Sequence, residues 1–400
     1  MFQKMHKIIN TFQNIQNRDF ITGETANQKL TQIHRIAQKA DSVEQLIPYL
    51  RDSNKSIRDT AGQILWAKGW EPQSLRDKNI LVVSNQNWLE LTNLPVQELI
   101  LDWQKHTSLA PGGFWASYIL SSLYEMGTPA IVSLLDSAKN KYLTTNARSI
   151  ALHCLGLLKP RDFSQEMKNI YQRDKNKNIK CSVIEAFRLQ GQSAVPIMAD
   201  LLSNNLSDKE MCSSLSWALG FQGHTAVEIL TSFLNKTNPV LRYYSGLALL
   251  ATADPSALNI LAKLKGNKED GQLKTVINQF FNFFGGYEAI KDQTNPIQNF
   301  NADRLLDKFS QKKEFEAFIV SMLFLGNANR KEAAKPLFRT AINSDNDTIK
   351  IEALMSLSRL IPDQEAINLL YNGLKHGDNF IRYWSCLGLM NTGHSVIGFF

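Results

Sequence analysis

The stretch NPVLRYYSGLALLATADP runs from Asn238 to Pro255, and DNFIRYWSCLGLMNTGHS runs from Asp378 to Ser395. Each begins with a turn-forming residue, continues through an apolar residue and an Arg-Tyr-aromatic triplet, and ends in small and aliphatic residues. In the first copy the small and apolar positions of one stripe are Leu241, Tyr244, Ser245, Ala248 and Leu249. This spacing places them on one side of an α-helix. Each copy is therefore predicted to be an amphipathic helix, and their likeness indicates an internal repeat.

Other stretches follow the same pattern and end at Gly69, Gly191, Gly223 and Ile361. A second amphipathic run, such as AVPIMADLL or AVEILTSFL, precedes each copy. The joints GQS at 191–193 and GHT at 223–225 place a glycine just past one helix and an N-capping hydroxyl before the next. Since Gly191 and Gly223 are 32 residues apart, the repeating unit is predicted to be a helical hairpin of that length.

A single hairpin cannot bury its apolar stripe, whereas stacked hairpins can. The predicted fold is an all-α, right-handed α-solenoid of about nine to ten hairpins between residues 41 and 394.

Residues 1–40, with an amphipathic helix from Met5 to Ile15, are expected to form a helical cap. The pattern is irregular at 101–128 and 265–330. Residues 395–400 begin an incomplete helix, in which Val396, Ile397 and Phe400 form either an apolar plug or a docking face.

The units resemble HEAT repeats, in the short bacterial form called PBS-lyase HEAT-like. The stretch SVEQLIPYLRDSNKSIRDTAGQILWAKGW (42–70) has the apolar helix, the polar turn, the Ile-Arg pair and the small-residue second helix of that pattern. The resemblance covers most of the chain and implies stacked helical hairpins. Proteins with these repeats include enzymes that attach bilins to light-harvesting subunits, so the resemblance also implies bilin handling as one possible activity.

The composition is typical of a folded, water-soluble protein, with 44% hydrophobic and 20% charged residues. No apolar run approaches the roughly 18 residues that cross a bilayer, and no signal peptide is recognisable, so a cytoplasmic protein is expected. The four cysteines lie in apolar stretches without a C-x-x-C pair, which predicts free thiols in a reducing compartment. The formal net charge of +7 permits an acidic partner.

The sequence contains few patterns that indicate catalysis. There is no His-Glu dipeptide, which a HEAT-type di-iron hydroxylase places on its repeat helices, and no H-x₃-H zinc pair. A Gly-x-Ser-x-Gly elbow is also missing. No catalytic residue, metal or cofactor is therefore predicted, and a non-enzyme is favoured although catalysis is left open.

A basic residue recurs at the start of the second helix of each hairpin: Arg58, Lys180, Arg242, Lys350 and Arg382. An Asn or Asp stands four residues before each of them. One interpretation is a turn ladder, in which the basic side chain binds polar groups of the turns. The other is a row of cations along one edge of the solenoid, able to hold carboxylates or phosphates.

Aromatic residues adjoin two of these cations. Tyr244 and Trp384 share the apolar stripe and are expected to be packed, whereas Tyr243 and Tyr383 point about 100° away, toward the face that a solenoid leaves open. An arginine beside an exposed aromatic suits recognition. Trp115, which follows the loop sequence LAPGGF, is either a contact residue or packing. Trp66 and Trp103 are expected in the core.

Three functions remain open from the sequence. The favoured one is a non-catalytic scaffold that binds a partner protein or peptide along the concave face, with an acidic ligand also permitted. Its binding residues would be Arg242, Tyr243, Arg382, Tyr383, Arg58, Lys180 and Trp115. The alternatives are a bilin lyase-like protein and a HEAT-type nucleic-acid binder or DNA glycosylase, for which Asp102-Trp103 is the only suggestive acidic–aromatic pair.

Overall fold

A computed structural model describes residues 24–39, 43–51, 55–71, 120, 123–124, 130–159, 163–264, 270–291, 315–394 and 396. Within these ranges the chain forms 19 α-helices, a few short 3₁₀ turns and no strand. It divides into an N-terminal unit, residues 1–102 with 108–110, and a main unit, residues 103–107 with 111–400. The all-α prediction is confirmed.

The described residues of the N-terminal unit form one hairpin and the helix before it. Helix α1 is Glu24–Ala37, α2 is Val43–Leu46 with a 3₁₀ turn at Ile47–Arg51, and α3 is Lys55–Ala67. Ile33 of α1 packs with Leu46, Leu50 and Leu65 in one buried cluster. The residues predicted from Met5 to Ile15 to form a helix lie outside the described part of the chain.

The prediction that Trp66 lies in the core is wrong, because its side chain is 41% exposed. Leu65 fills the buried position of that turn, with none of its surface exposed. Adjacent residues of a helix point about 100° apart, so the tryptophan faces away from the cluster. Trp103 lies outside the described residues.

The main unit is a series of helical hairpins. Five hairpins follow one another in the described residues from 131 to 283. They pair Ile131–Lys139 with Thr145–Leu158 (α4, α5), Ser164–Arg173 with Lys177–Gln190 (α6, α7), Val195–Asn204 with Lys209–Phe221 (α8, α9), Val227–Leu234 with Pro239–Ala251 (α10, α11), and Pro255–Lys263 with Gly271–Phe283 (α12, α13). A short helix, Tyr287–Ile290 (α14), and Phe315–Asn327 (α15) follow. The last two hairpins pair Ala334–Asn343 with Asp347–Ser358 (α16, α17) and Gln364–Leu374 with Asn379–Asn391 (α18, α19).

The helix boundaries follow the start and stop signals of the sequence. The side chains of Asn176, Asn238 and Asp378 accept hydrogen bonds from backbone N–H groups in the first turn of α7, α11 and α19. Gly191 and Gly223 follow α7 and α9 with φ of +85° and +63°, a conformation that a residue with a Cβ rarely adopts. These capping residues set the period that the sequence predicts.

The second helices of the hairpins form two rows. In the first row α5, α7, α9, α11 and α13 pack one after another, and in the second row α15, α17 and α19 do the same. Neighbours within a row approach closely where glycine is present. A Cβ on Gly156 of α5 would lie 2.5 Å from the carbonyl oxygen of Ala186 on α7, and one on Gly326 of α15 would lie 2.6 Å from that of Ser356 on α17.

The two rows face each other along a contact that we call the seam. Helix α15 packs against α9, α11 and α13. Farther along, Arg188 of α7 binds Glu352 of α17, and His153 of α5 binds Tyr383 of α19. The second row therefore runs back along the first, and it covers the side of the first row on which an open concave face was expected.

The apolar character of α15 explains this arrangement. All residues from 317 to 325 of this helix are buried, whichever way they point. A helix that is apolar all round has to be covered on all sides, and the row of second helices opposite it provides the missing cover. The sequence prediction of an open face considered one apolar stripe on each helix. It did not consider a helix such as α15, which is apolar on every side.

The chain's last described residue bears on the predicted plug. Val396 is buried, with 1% of its surface exposed, as the plug requires of this residue, and the plug as a whole stays a prediction. Ile397 and Phe400 lie outside the described residues. None of the described helices combines the length and the apolar character that a membrane span requires.

Candidate functional site

The turn ladder is confirmed at Arg242. Its Nη1 donates hydrogen bonds to the carbonyl oxygens of Lys236 (2.9 Å) and Thr237 (2.8 Å) in the turn of its own hairpin. Its Nε and Nη2 donate to Oδ1 of Asp270 at the start of the next second helix, at 3.0 and 2.9 Å. One guanidinium therefore fastens its own turn and the next hairpin, using the fork of donors that arginine offers.

Other hairpins have a ladder cation that contacts its own turn or an acid of the next hairpin. Nε of Arg148 donates to the carbonyl of Ala138 at 2.9 Å, and its Nη2 pairs with Asp174. Nζ of Lys350 lies 2.9 Å from Asp378, and this hydrogen bond raises the pKa of the lysine. Cations of this edge are therefore paired with acids of the following hairpin.

Within the described part of the chain, Arg382 and Lys180 are not paired with an acid of a following hairpin. Arg382, in the last hairpin, donates to the carbonyl oxygen of His376 and to Oδ1 of Asn379, both within its own turn. Lys180 places Nζ 5.3 Å from the ring centroid of Tyr171, a cation–π contact. Both side chains thus have intramolecular contacts instead of standing free.

Tyr383 is not on an open face. Its hydroxyl and Nδ1 of His153 form a hydrogen bond of 2.8 Å across the seam, and the two ring centroids lie 5.8 Å apart. Burial raises the pKa of Tyr383 well above its usual value and lowers the pKa of His153 to about 4, so the imidazole is neutral at physiological pH. Tyr244 and Trp384 are packed as predicted, with 6% and 5% of their surfaces exposed.

The predicted binding residues do not converge on one place. Those with described side chains are Lys180, Arg242, Tyr243, Arg382 and Tyr383. Arg58 and Trp115 have side chains outside the described part of the chain. Arg242 and Tyr243 lie on α11, at the part of the seam formed with α15, whereas Arg382 and Tyr383 lie on α19, which meets α5.

A buried charged cluster joins the rows in the middle of the seam. Arg188 is fully buried and donates to both carboxylate oxygens of Glu352, at 2.9 and 2.6 Å. Glu185 lies 3.6 Å from the same guanidinium, and burial raises the pKa of this carboxyl to about 7. The guanidinium groups of Arg188 and Arg359 lie 4.2 and 5.1 Å from the ring centroid of Phe221. The cluster fastens α7 and α9 to α17.

The side-chain amide of Asn327 caps the C-terminal ends of two second helices, α9 and α11. Nδ2 of Asn327 donates to the carbonyl oxygens of Gly220 and Ala251, at 2.9 and 2.8 Å. Its Oδ1 accepts a hydrogen bond of 2.9 Å from Nε of Arg359. This side chain satisfies terminal carbonyls of α9 and α11, which have no partner within their own helices. The seam is thus sealed where α15 ends.

The seam is more accessible where α15 begins. Trp217 of α9 and Phe315 of α15 form an edge-to-face pair with centroids 6.2 Å apart. Burial and the charge of the neighbouring Glu316 raise the pKa of Tyr243 on α11. Phe315, Glu316 and Tyr243 are half-buried. We call the residues Trp217, Tyr243, Phe315 and Glu316 the aromatic notch.

Two polar groups of the aromatic notch have no partner among the described residues. Trp217 is nine-tenths buried, and its Nε1–H has no hydrogen-bond acceptor within that part of the chain. Within the described ranges no ion pair involves Glu316, although Asp174, Asp270 and Asp378 of the ladder each have a cation. The notch therefore combines half-buried rings with the carboxylate of Glu316 at the start of α15.

The described residues offer little for covalent or metal chemistry. No group of three potential ligands gathers among them. All four cysteines are free, and burial raises the pKa of the Cys181 and Cys212 thiols to about 11, which keeps them protonated. The exposed His224 binds the N-cap Asp254 of the next hairpin, with 2.6 Å between Nδ1 and Oδ2, and thereby ties α9 to α12.

Comparisons with known proteins give low similarity. No family model and no curated sequence matches the chain. Human deoxyhypusine hydroxylase in complex with glycerol matches 58% of this chain and 97% of its own, with 17% identity and a TM-score of 0.27. Kap121p bound to Pho4p matches 88% of this chain and 41% of its own, and Kap121p bound to RanGTP matches 87% and 41%, both with 16% identity and a TM-score of 0.25. Likeness at this level does not bear on function.

Sequence reasoning missed most of the aromatic notch. It singled out Tyr243 but not Trp217, Phe315 or Glu316, because these residues lie far apart along the chain and the seam brings them together. One available signal was the run FEAFIVSMLFLGN, which is apolar on every face of a helix and thus predicts cover on both sides.

Proposed function

We propose that this HEAT-like helical-repeat protein is a non-catalytic interaction scaffold that binds a protein or peptide partner. The observation that carries the proposal is the aromatic notch. Phe315 and Tyr243 are half-buried there, beside the buried indole of Trp217. Aromatic side chains with a polar group at the edge of a rigid helical frame are typical anchors for a partner.

The rest of the predicted surface supports binding less well. The ladder cations Arg148, Arg242 and Lys350 are held by acids of the next hairpin, which leaves little free positive charge for a carboxylate or phosphate. The seam is sealed at Asn327. A partner that docks on the seam therefore has its best access at the start of α15.

A cytoplasmic setting is part of this proposal, as is kinship with the bacterial PBS-lyase HEAT-like proteins. The setting is supported by four free cysteines, of which Cys154, Cys212 and Cys386 are buried, as expected where thiols stay reduced. The kinship rests on the sequence pattern of residues 42–70 alone.

No described contact favours the two alternative functions. A bilin site would need a free arginine beside Tyr243, but Arg242 is bound to Asp270. A nucleic-acid groove needs unpaired cations, and the Asp102-Trp103 pair lies outside the described residues. The scaffold therefore stands as the one function that we propose.

Selection of peptides tests the proposal without assuming a partner. A random linear peptide library displayed on phage is panned on the full chain, and each enriched peptide is then measured on Tyr243→Ala and on a control, Val132→Ala. Val132 is 60% exposed on α4, away from the aromatic notch. We expect enriched peptides that bind the control as well as the parent but bind Tyr243→Ala at least tenfold more weakly.

The opposite result overturns the proposal. If no peptide is enriched, or if every enriched peptide binds Tyr243→Ala as well as the parent, the notch is not a docking site. Glu316→Gln is measured in parallel because it removes a charge with almost no change of volume. Weakened binding that comes only from a folding defect of Tyr243→Ala is thereby distinguished from loss of the docking contact.

A further inference from the structure

We infer that closing the seam places a proton on Glu185, because Glu352 of the second row takes over the guanidinium of Arg188 with which Glu185 pairs when the rows are apart. The fastening between α7 and α17 is therefore linked to pH. This device lies in the middle of the seam, whereas the aromatic notch lies on α9, α11 and α15, so the inference goes beyond the proposed function and does not depend on it.

Two carboxyl groups compete for the guanidinium of Arg188. Its Nη1 and Nη2 donate to both carboxylate oxygens of Glu352, at 2.9 and 2.6 Å. Oε1 of Glu185 lies 3.6 Å from Nη1, which is too far for a hydrogen bond. Glu185 precedes Arg188 by three residues on α7, a spacing at which opposite charges pair on the surface of a helix. In the closed seam, the acid from the opposite row has displaced this local partner.

Burial decides the state of the displaced carboxyl. The side chains of Arg188 and Glu352 are 0% and 3% exposed, and that of Glu185 is 15% exposed. One guanidinium neutralises one carboxylate, so an ionised Glu185 adds a second negative charge to a buried site. Burial, together with the charge of Glu352, outweighs the attraction of Arg188 and raises the pKa of Glu185 to about 7. The exposed part of the side chain lets it take the proton from water.

The opposite row and Arg188 set the charge of Glu185. Among the described residues, the charged groups that act on it are Arg188 and Glu352. The thiol of Cys181, one turn earlier on α7, stays protonated because burial raises its pKa to about 11. The other titratable or charged side chains on the helices around α7 do not act on the charge of Glu185: Arg148, His153 and Cys154 on α5, Glu166, Lys168, Tyr171 and Arg173 on α6, Asp200 on α8, Lys209, Glu210 and Cys212 on α9, and Asp347, Lys350 and Arg359 in the second row.

The contact between α7 and α17 is suited to opening. Helix α15 packs closely against α9, α11 and α13, whereas the backbones of α7 and α17 approach less closely and the rows are joined there by the long side chains of Arg188 and Glu352. An outward movement of α17 separates this ion pair and leaves α15 covered by the first row. Arg188 then returns to Glu185 on its own helix.

The direction of the pH effect follows from the two states of the seam. With the rows apart, Glu185 has its ordinary pKa of 4.5, and in the closed seam its pKa is about 7. The closed seam binds the additional proton between these values, so its stability is lost as pH rises from about 4.5 through about 7. His153 at the α5 end of the seam responds in the opposite sense, and the test therefore compares proteins that both keep it.

Hydrogen exchange read by mass spectrometry tests the linkage on the full chain. Opening of the α17 amides, corrected for the intrinsic effect of pH on exchange, is compared between the parent and Glu185→Gln. We expect the ratio of opening in the parent to opening in the variant to rise about tenfold from about pH 6 to about pH 8. For α10, which lies outside the seam, the ratio should stay constant. A constant ratio for α17, or an equal rise for α10, overturns the inference.

A carboxyl titration shows whether Glu352 is the cause. The chain is labelled with ¹³C at the glutamate carboxyl carbon, and the Glu185 signal is the one missing from Glu185→Gln. In Glu352→Gln the guanidinium returns to Glu185, so the midpoint of its titration should fall by about one pH unit or more. The control Glu228→Gln, at an exposed glutamate on α10, should leave the midpoint unchanged.

An unchanged midpoint in Glu352→Gln would show that burial on α7 alone holds the proton, and it would overturn the exchange of partners. The hydrogen-exchange comparison uses only the parent and Glu185→Gln, so a folding defect of Glu352→Gln still leaves a result that supports or overturns the inference.

Discussion

Residues 238–255 and 378–395 follow the same sequence pattern, and the described residues of both have the same local structure. Asn238 and Asp378 cap their helices through the side chain. Arg242 and Arg382 each donate Nη1 hydrogen bonds to carbonyl oxygens of their own turn. The aromatic residue two positions after each arginine, Tyr244 or Trp384, is buried. Contacts within one hairpin are therefore repeated when the sequence repeats.

The same two copies differ in several contacts that leave the hairpin. Tyr243 lies beside Glu316 at the accessible part of the seam, whereas Tyr383 binds the buried His153. Arg242 reaches Asp270 of the next hairpin, whereas the described residues give Arg382 no such acid. Position in the array, and not the repeated sequence, decides whether an equivalent residue is available to a partner.

The largest expected effect on stability concerns the buried aromatic residue that both copies have. Tyr244→Ala and Trp384→Ala should each lower the free energy of unfolding by about 3–5 kcal/mol, because each leaves a cavity in a packed row. Urea denaturation followed by circular dichroism measures both. A loss below about 1 kcal/mol in either variant would show that its ring is not packed as the other is.

The second prediction concerns pH and separates the copies. Burial lowers the pKa of His153 to about 4, below its value of 6.5 in an unfolded chain. Between these values the unfolded chain binds a proton that the folded one does not, so stability is lost as pH falls from about 6.5 to about 4, by up to about 3 kcal/mol.

The variant His153→Gln isolates the contribution of His153 to the pH dependence of stability, because it removes the titrating group next to Tyr383. The difference in unfolding free energy between parent and variant should shrink as pH falls through that window. Glu185, whose raised pKa gives the opposite trend, is present in both proteins and cancels. A difference that does not change with pH would contradict the buried, neutral imidazole. Tyr243→Phe serves as the control, since the first copy has no histidine partner.

The third prediction compares the two tyrosine hydroxyls. Tyr383→Phe should cost about 1–3 kcal/mol, because it leaves the ring nitrogen of His153 buried without its partner. Tyr243→Phe should cost only a few tenths of a kcal/mol, because that residue is half-buried and water replaces the lost contact. Equal costs in thermal or urea unfolding would mean that the two tyrosines share one environment, as the sequence alone suggests.

The sequence predicts the hairpins well because their signals are local. Caps such as Asn238, stops such as Gly223 and the stripe through Leu241 and Tyr244 act within about one turn of helix, so the residues that interact are also close in sequence. The turn ladder was predictable for the same reason, since Arg242 contacts carbonyl oxygens five and six residues earlier.

The seam could not be predicted in the same way. Arg188 and Glu352 are 164 residues apart, and His153 and Tyr383 are 230 residues apart. Periodicity gives the face of a helix on which each of these residues lies, but it does not say which distant helix covers that face. The candidate site depends on this second kind of contact, which explains why Glu316 and Trp217 went unnoticed.

The smallest expected effect tests the difference between the two arginines. Arg382→Ala should cost about 1 kcal/mol through lost turn hydrogen bonds, and Arg242→Ala about 2 kcal/mol because it also loses a largely buried ion pair. Asp270 makes no side-chain cap of its own helix, so Asp270→Asn removes the charge without removing a cap. A double-mutant cycle of Arg242→Ala with Asp270→Asn should give a coupling of about 1 kcal/mol, measured by urea unfolding. A coupling near zero would mean that the ladder works only within each hairpin, and the two copies would then be fastened alike. Partner binding at the aromatic notch should survive Arg242→Ala, because Tyr243 and Glu316 are held by the seam and not by the ladder.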